Sequence, residues 1–235
     1  MHGTLYLIPV PIAEGGDSGD VLPQRNREAV RGIDYFMVEN LRSARRFLSR
    51  WGIDKPIDAL ELTELNEHTS PAEIERMIAP LLAGRDGGII SEAGVPGVAD
   101  PGAEVVALCH RNDIRVVPLV GPSSIVMALM ASGVNGQSFA FNGYLPVKSP
   151  ERIRAIRHFE RRVQTERQSQ LFIEAPYRNL KLFEDFLAAC APETLLTVAA
   201  DLTGPDEFIR THAIHLWRTV SKPDLNRRPA IFILG

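Results

Sequence analysis

Short apolar runs that alternate with helical segments are the feature that most restricts the fold of this chain. Apolar runs of this length, bounded by Gly, Pro and polar residues, are typical of strands that are buried in a sheet. Because helical segments separate most of these runs, the sequence predicts an α/β fold with two domains and mostly parallel sheets. The predicted strands are Thr4–Val10, Tyr35–Val38, Gly88–Ile90, Arg115–Leu119, Gln170–Ile173, Leu195–Ala199 and Ala230–Leu234.

Several helices are predicted between these strands. The helix with the clearest signals has Ser70 as N-cap, Pro71 at the first helical position and Glu73 at the capping-box position. This helix is predicted to end at Gly84. The other predicted helices are Arg42–Trp51, Asp100–Cys109, Ser123–Ala131 and Glu151–Arg167.

The two halves of the sequence differ in pattern. Up to about Leu119 strands and helices alternate strictly, with Gly-rich turns, whereas the second half has a long basic helix and a Phe/Gly/Tyr segment at 139–144. We therefore predict an N-terminal α/β domain at 1–118 and a C-terminal α/β domain at 119–235.

Charge is unevenly distributed along the 235 residues. The formal net charge is −3, which gives no general attraction to nucleic acid or to an anionic membrane. Two segments, 24–50 and 148–167, are nevertheless rich in arginine. In the second, an apolar stripe of Ile153, Ile156, Phe159 and Val163 would leave Arg154, Arg157, Arg161 and Arg162 facing outward. Such arginines either contact RNA phosphates or form an ordinary solvated helix face, and the sequence leaves both open.

Cys109 and Cys190 lie far apart, without the spacing of metal ligands, so we predict buried free thiols, a reducing compartment and no metal site. The N-terminal apolar run is too short for a signal peptide or a membrane span, which predicts a cytoplasmic protein without membrane contact.

Three turns rich in Gly, Pro and Ser follow predicted strands: IPVPIAEGG, SEAGVPG and GPSS. Ligands of open α/β sheets bind at the carboxyl ends of strands, where glycine lets the main chain approach them closely. The alternative is that these residues only form turns. Neither GxGxxG nor GxxxxGK[ST] is present, so an ordinary dinucleotide site and a P-loop have no support.

Four motifs carry a resemblance to a known family: GTLYLIPVPI, SEAGVPGVADPG, GPSSIVMALMASG and FIEAPYRN. In this order and spacing, the chain resembles the tetrapyrrole methylase superfamily over nearly its whole length. It is most similar to the 16S rRNA (cytidine-2′-O)-methyltransferase branch. The resemblance implies S-adenosylmethionine (SAM) bound in the cleft between two α/β domains, a homodimer, and small-subunit ribosomal RNA as a partner.

The resemblance also implies which residues contact SAM. In the family the loop after the third strand cradles the cofactor through main-chain groups, and other loops and the second domain supply further contacts. The matching cofactor positions are Pro11, Ala93, Gly94, Val95, Val98, Ser123, Ser124, Glu174 and Leu202. For the RNA substrate, the candidate residues are Arg42, Arg154, Arg157 and Arg161.

The chain departs from the family pattern at several positions. Val95 replaces a residue that is Asp or Thr in relatives, and the EDTR segment of the RNA branch becomes Glu39-Asn40-Leu41-Arg42. The chain ends at its last predicted strand, without the C-terminal segment usual in that branch.

A hydroxyl acceptor benefits from a general base, for which Glu92 and Glu39 are the main catalytic candidates and Glu67 and His68 the lesser ones. Glu39 could instead pair with Arg42 or Arg45, and Glu92 could cap a turn.

We expect a SAM-dependent methyltransferase that acts on a ribose hydroxyl of ribosomal RNA. Two alternatives stay open at this point. One is a methylase of a tetrapyrrole-like small molecule, which would need a wide apolar trough with arginines. The other is a SAM-binding module without catalysis, which Val95 and the position of the chain end motivate.

Overall fold

The structure is a computed structural model that describes residues 1–13 and 18–235. For Ser18 and Asp20 it describes the backbone only. Residues 14–16 of the predicted IPVPIAEGG turn lie outside the described residues. The chain divides into two compact units, Met1–Ser123 and Ser124–Gly235. The predicted boundary between residues 118 and 119 falls a few residues earlier and stays a prediction.

The first unit is built on a five-stranded sheet with the order β3-β2-β4-β1-β5, in which every pairing is parallel. Two of its three inner strands, β2 and β4, are buried at every position, as expected for a parallel sheet covered on both faces. The strands are β1 (Thr4–Ile8), β2 (Tyr35–Val38), β3 (Glu61–Glu64), β4 (Gly87–Ile90) and β5 (Arg115–Pro118).

The helices of the first unit begin where the sequence supplies a cap. Asn40 caps one helix, because its side chain accepts hydrogen bonds from the backbone of Arg42 and Ser43. The predicted capping box of Ser70 and Glu73 is present, but the helix breaks at Ile78 and restarts around a second proline. The helices are α1 (Ser18–Val21), α2 (Gln24–Val30), α3 (Leu41–Trp51), α4 (Pro71–Met77), α5 (Ala79–Leu82) and α6 (Ala103–Arg111), with a 3-10 turn at Ile57–Ala59.

The second unit contains a mixed sheet with the order β6-β7-β10-β8-β9. Only the β6–β7 pairing is parallel among the described residues, and the other three are antiparallel. Its strands are β6 (Phe139–Tyr144), β7 (Ser169–Ile173), β8 (Leu195–Ala200), β9 (Phe208–Ala213) and β10 (Ala230–Leu234). Its helices are α7 (Ser124–Ser132), α8 (Ser149–Glu166), α9 (Asn179–Ala189) and α10 (Ile214–Trp217), with a 3-10 turn at Pro176–Arg178.

The predicted α/β class with mostly parallel strands is confirmed, but the parallel pairings are unevenly distributed. The first sheet is parallel throughout, and the second keeps a single parallel pair at one edge. The sequence did not predict β3, β6 and β9, all of which are edge strands. Polar residues or glycine interrupt the apolar residues in all three, whereas the fourth edge strand, β5, has the apolar run 116–119 that predicted it.

The long basic helix α8 differs from its predicted pattern. Its buried residues are Arg152, Ile156 and Glu160, so two charged side chains lie within the predicted apolar face. Arg162 does not simply face solvent, because its guanidinium donates to Glu166 and Gln168. The predicted outward arginines are therefore limited to Arg154, Arg157 and Arg161, which are exposed.

Arg152 and Asp185 form an ion pair in which both side chains are only 4% exposed. The Arg152 guanidinium also donates to the carbonyls of Pro146 and Val147, at 3.2 and 2.8 Å. On the other side, the Ser149 hydroxyl donates to the Asp185 carboxylate at 3.3 Å. This network fixes the β6–α8 loop against α9.

Both cysteines are free and buried, as predicted, and burial raises the pKa of the Cys109 thiol to about 11. No described helix has the length and apolar character needed to cross a bilayer.

We expect Asp185→Ala to lower the free energy of unfolding by about 3–5 kcal/mol, because it leaves the Arg152 charge buried without a partner. Lys181→Ala is the matched control: its exposed ammonium lies 3.4 Å from the same carboxylate. Its loss should cost less than about 1 kcal/mol. Urea denaturation of both variants measures the difference, and equal small losses would show that the buried pair does not stabilise the fold.

Candidate active site at the carboxyl edge of the first sheet

The predicted loops of the first unit meet at the carboxyl edge of its sheet. Strand β4 lies between β2 and β1, and β1 lies next to β5, so the loops after these four strands are neighbours. Gly94 forms an isolated bridge with Val10: the Val10 amide donates to the Gly94 carbonyl at 2.8 Å, and the Gly94 amide to the Val10 carbonyl at 3.2 Å. This pair of hydrogen bonds joins the loop after β4 to the loop after β1.

Glycine is required at two positions of this edge. Gly94 has φ of 72°, in the left-handed region where residues with a Cβ are strained. At Gly121, a Cβ would lie 2.2 Å from the side chain of Pro9, so the loop after β5 can approach the loop after β1 only with glycine there. A Cβ on Gly94 would also lie 3.3 Å from the Pro122 carbonyl, which places all three loops in contact.

Two of the predicted catalytic acids are joined by hydrogen bonds. The Glu39 carboxylate accepts from the Glu92 amide at 3.0 Å, and the Glu92 carboxylate accepts from the Ser43 hydroxyl at 3.0 Å. The Glu39 amide donates in turn to the carbonyl of Ile90 at 3.1 Å. An ion pair of Glu39 with Arg42 or Arg45, the alternative left open by the sequence, is not formed among the described residues.

A third acid, Asp100, lies beside these two and was not assigned to the site from the sequence. It is half-buried, two residues before Gly102, the residue that precedes α6. The pKa of its carboxyl is raised to about 7: burial is the largest cause, the charges of Glu39 and Glu92 act in the same direction, and a hydrogen bond with Ser91 opposes them. A signal was present in the sequence, since Asp100 lies inside the SEAGVPGVADPG motif that carries the family resemblance.

The other predicted cofactor residues of the first unit lie on the same edge. Pro11 follows the Val10 bridge, Ala93 and Val98 are exposed, and Val95 is half-buried. Ser123 ends the loop after β5. The structure therefore brings these residues together on loops that touch one another, and their contact with SAM stays a prediction.

The remaining predicted cofactor residues belong to the second unit, on different elements. Ser124 begins α7. Leu202 is 3% exposed and packs in an apolar cluster. Its two neighbours in the chain, Asp201 and Thr203, both have positive φ. Glu174 directly follows β7, and its buried Oε1 accepts from the Ala175 amide and from the Arg178 guanidinium.

The predicted substrate arginines are accessible. Arg42 is exposed in the first turn of α3, close in sequence to Glu39, and Arg154, Arg157 and Arg161 are exposed on α8. The described residues contain no group of three His, Cys, Asp or Glu side chains that could hold a metal ion.

No family model matches the sequence. Individual relatives do. The ribosomal RNA small subunit methyltransferase I of Escherichia coli O157:H7 is 31% identical over 99% of this chain and 77% of its own length. The protein of the same name from Haemophilus influenzae is 31% identical over 100% of this chain and 78% of its own length. The chain belongs to the ribosomal RNA small subunit methyltransferase I family.

Solved structures agree with this assignment at the level of the fold. The methyltransferase CobJ superposes with a TM-score of 0.63 at 15% identity, covering 99% of this chain and 94% of that chain. Uroporphyrin-III-C-methyltransferase from Thermus thermophilus gives a TM-score of 0.54 at 20% identity, covering 100% and 93%. The relatives and the shared fold together confirm the predicted resemblance, and the family to which the chain belongs is one of methyltransferases.

The environment of Asp100 has a consequence for stability. The unfolded chain loses this proton near pH 4, whereas the folded protein keeps it until about pH 7. Between these values the folded state binds more protons, so stability falls as pH rises through this window. Asp100→Asn cannot ionise, so it avoids this decrease in stability. We therefore expect it to raise the melting temperature more at pH 8 than at pH 4. Thermal unfolding of both proteins at the two pH values measures the effect, and a shift that does not depend on pH would contradict the raised pKa.

Proposed function

We propose that this protein transfers the methyl group of SAM to a ribose hydroxyl of small-subunit ribosomal RNA. The observation that carries the proposal is the match, over nearly the entire chain, to enzymes named ribosomal RNA small subunit methyltransferase I. The tetrapyrrole alternative is supported only by structures that share the fold at 15 and 20% identity, so it is not favoured.

The carboxyl edge of the first sheet fits SAM in two respects. The sulfonium and the ammonium group of SAM are positive, and the edge presents the carboxyl groups of Glu39, Glu92 and Asp100. Its loops also come close together at glycine, which leaves main-chain groups accessible to a ligand. We propose that Pro11, Ala93, Gly94, Val95, Val98 and Ser123 hold the cofactor there. The assignment of Ser124, Glu174 and Leu202 of the second unit to cofactor binding stays a prediction from the sequence. When bound, SAM supplies an electrophilic methyl group and leaves as neutral S-adenosylhomocysteine.

Asp100 is the side chain best suited to accept the proton of the hydroxyl. A carboxylate oxygen of Asp100 would take the proton that the hydroxyl loses when it receives the methyl group. A base whose pKa lies near the working pH is partly ionised and still binds a proton well, and the pKa of Asp100 is about 7. Glu39 and Glu92, which the sequence proposed as catalytic, raise that pKa through their charges.

RNA binding is assigned to arginines on two helices. Arg42 lies in the first turn of α3, close in sequence to Glu39 at the carboxyl edge of the first sheet. Exposed guanidinium groups of Arg154, Arg157 and Arg161 lie along α8. We propose that they contact phosphates, because exposed arginines give local positive potential on a protein whose net charge is negative. A homodimer and a cytoplasmic location, which the sequence also suggested, stay predictions.

Methyl-labelled SAM tests both the acceptor and the base. We expect label to appear on ribosomal RNA of small subunits and not on tetrapyrroles. We expect the rate of the wild type to rise through about pH 7, and Asp100→Asn to lower it by about 10²–10⁴-fold and remove this rise. Calorimetry with S-adenosylhomocysteine is the control for an intact cofactor site. Label on tetrapyrroles alone would overturn the proposed function. A normal rate in Asp100→Asn would leave the function in place and reject Asp100 as the base.

The salt dependence of RNA binding tests the arginines of α8. Each phosphate contact releases counterions, so Arg157→Ala with Arg161→Ala should weaken binding and reduce the slope of log K against log salt by about two contacts. The control double variant is Arg111→Ala with Arg115→Ala, which removes the same charge from exposed positions at the end of α6 and the start of β5. Equal slopes for the two double variants would show that α8 is an ordinary solvated face.

A further inference from the structure

Two exposed tyrosines lie on neighbouring loops of the second unit. Strands β6 and β7 are parallel, so their carboxyl ends share one edge of the sheet, and Tyr144 is paired there with Ile173. The chain leaves β6 directly after Tyr144 and leaves β7 through the 3-10 turn that contains Tyr177. Loops at the carboxyl ends of adjacent parallel strands are the usual place for a ligand in such a sheet.

Neither tyrosine is used by the core. Tyr144 is 61% exposed and Tyr177 is 73% exposed. The register between β6 and β7 shifts between Phe141 and Tyr144, and Gly143 within this shift has φ of 63°. A bulge with glycine in the left-handed region re-aims the side chain that follows it. Tyr144 is therefore presented to solvent by a specific backbone device.

Arg178 completes the surface and is held rigidly. Its Nε and Nη2 donate to the Glu174 carboxylate at 2.9 and 2.6 Å, and the Glu174 side chain is completely buried. The centre of its guanidinium lies 5.2 Å from the centre of the Tyr177 ring. The hydrogen bond to Glu174 raises the pKa of Arg178, and both Tyr177 and Tyr144 add to this increase, which places both rings near the guanidinium.

The chemistry of this group suits an unpaired nucleobase. Aromatic rings and the guanidinium plane stack on the bases of single-stranded RNA, and positive charge beside them attracts the backbone. Lys148 and Arg154, both exposed, lie at the start of α8, the helix that leaves β6 at this edge. A rigid platform of this kind loses little conformational freedom when a base stacks on it.

We propose that Tyr144, Tyr177 and Arg178 form a stacking site for an unpaired base of the RNA substrate. The proposal rests on the proposed function, because that function makes RNA the partner. The adenine of SAM shares the same stacking chemistry, so the test separates the two sources.

Tyr144→Ala and Tyr177→Ala, with Tyr144→Phe and Tyr177→Phe as matched controls, test the site. The probe is a short oligouridine that carries one 2-aminopurine, whose fluorescence is quenched on stacking. We expect each alanine variant to bind about five- to a hundredfold more weakly and to lose quenching, since stacking is worth about that much per base. The phenylalanine variants keep the ring and should stay within about twofold of wild type. Phe139→Ala removes an aromatic side chain that is 42% exposed at the opposite end of β6, and it should bind like wild type.

Three results would overturn the proposal: unchanged RNA affinity in both alanine variants, an equal loss in the phenylalanine variants, or weaker binding of S-adenosylhomocysteine with RNA binding unchanged. The last would assign the tyrosines to adenine. The binding readout does not depend on methyl transfer. Wild-type protein that quenches the probe but leaves ribosomal RNA unlabelled would therefore reject the proposed function and retain the stacking site.

Discussion

The pair of main-chain hydrogen bonds between Val10 and Gly94 determines the geometry of the first unit's functional edge. It joins the loops after β1 and β4, and the hydrogen bonds of Glu92 with Glu39 and Ser43 hold the loop after β4 to the segment after β2. The bridge needs a residue in the left-handed region at position 94, where glycine is not strained. At Gly121 the absence of a Cβ lets the loop after β5 lie against Pro9. Glu92 and Asp100 lie in the loop after β4, and the Glu92 amide bonds the carboxylate of Glu39 after β2, so the charges of Glu39 and Glu92 act on Asp100.

In the second unit, buried ion pairs hold the loops that follow two of the strands. The loop after β6 is fixed by Arg152 and Asp185, and the loop after β7 by Arg178 and Glu174. In each case a buried carboxylate holds an arginine from the same loop or from the helix that follows it. Buried pairs of this kind contribute little net stability compared with apolar packing, but they fix the position of the groups that they bond. Loops that present side chains to a large flexible substrate benefit from this positioning.

The sequence predicted the features that depend on local pattern, and it missed those that depend on distant partners. Buried strands such as Tyr35–Val38 and the Ser70–Glu73 capping box carry their signals in a few consecutive residues. The edge strands β3, β6 and β9 carry no such signal, because polar residues or glycine interrupt their apolar residues. Arg152 was missed as a buried residue because its partner Asp185 lies on another helix, and a helical pattern alone places an arginine outside. The importance of Asp100 depends on Glu39, a residue far away in the chain.

The same side-chain chemistry therefore serves two purposes that the environment decides. The carboxylates of Glu174 and Asp185 each form an ion pair with a guanidinium group, and these pairs hold their loops in place. Asp100 forms no ion pair within the described residues and faces two other acids, which stabilise its protonated form. A carboxyl group without a cation, partly removed from water and beside like charges, is one whose proton can be exchanged near neutral pH. The environment of each carboxyl group therefore decides its role. Asp100 can take a proton from a hydroxyl, whereas Glu174 and Asp185 hold loops in place.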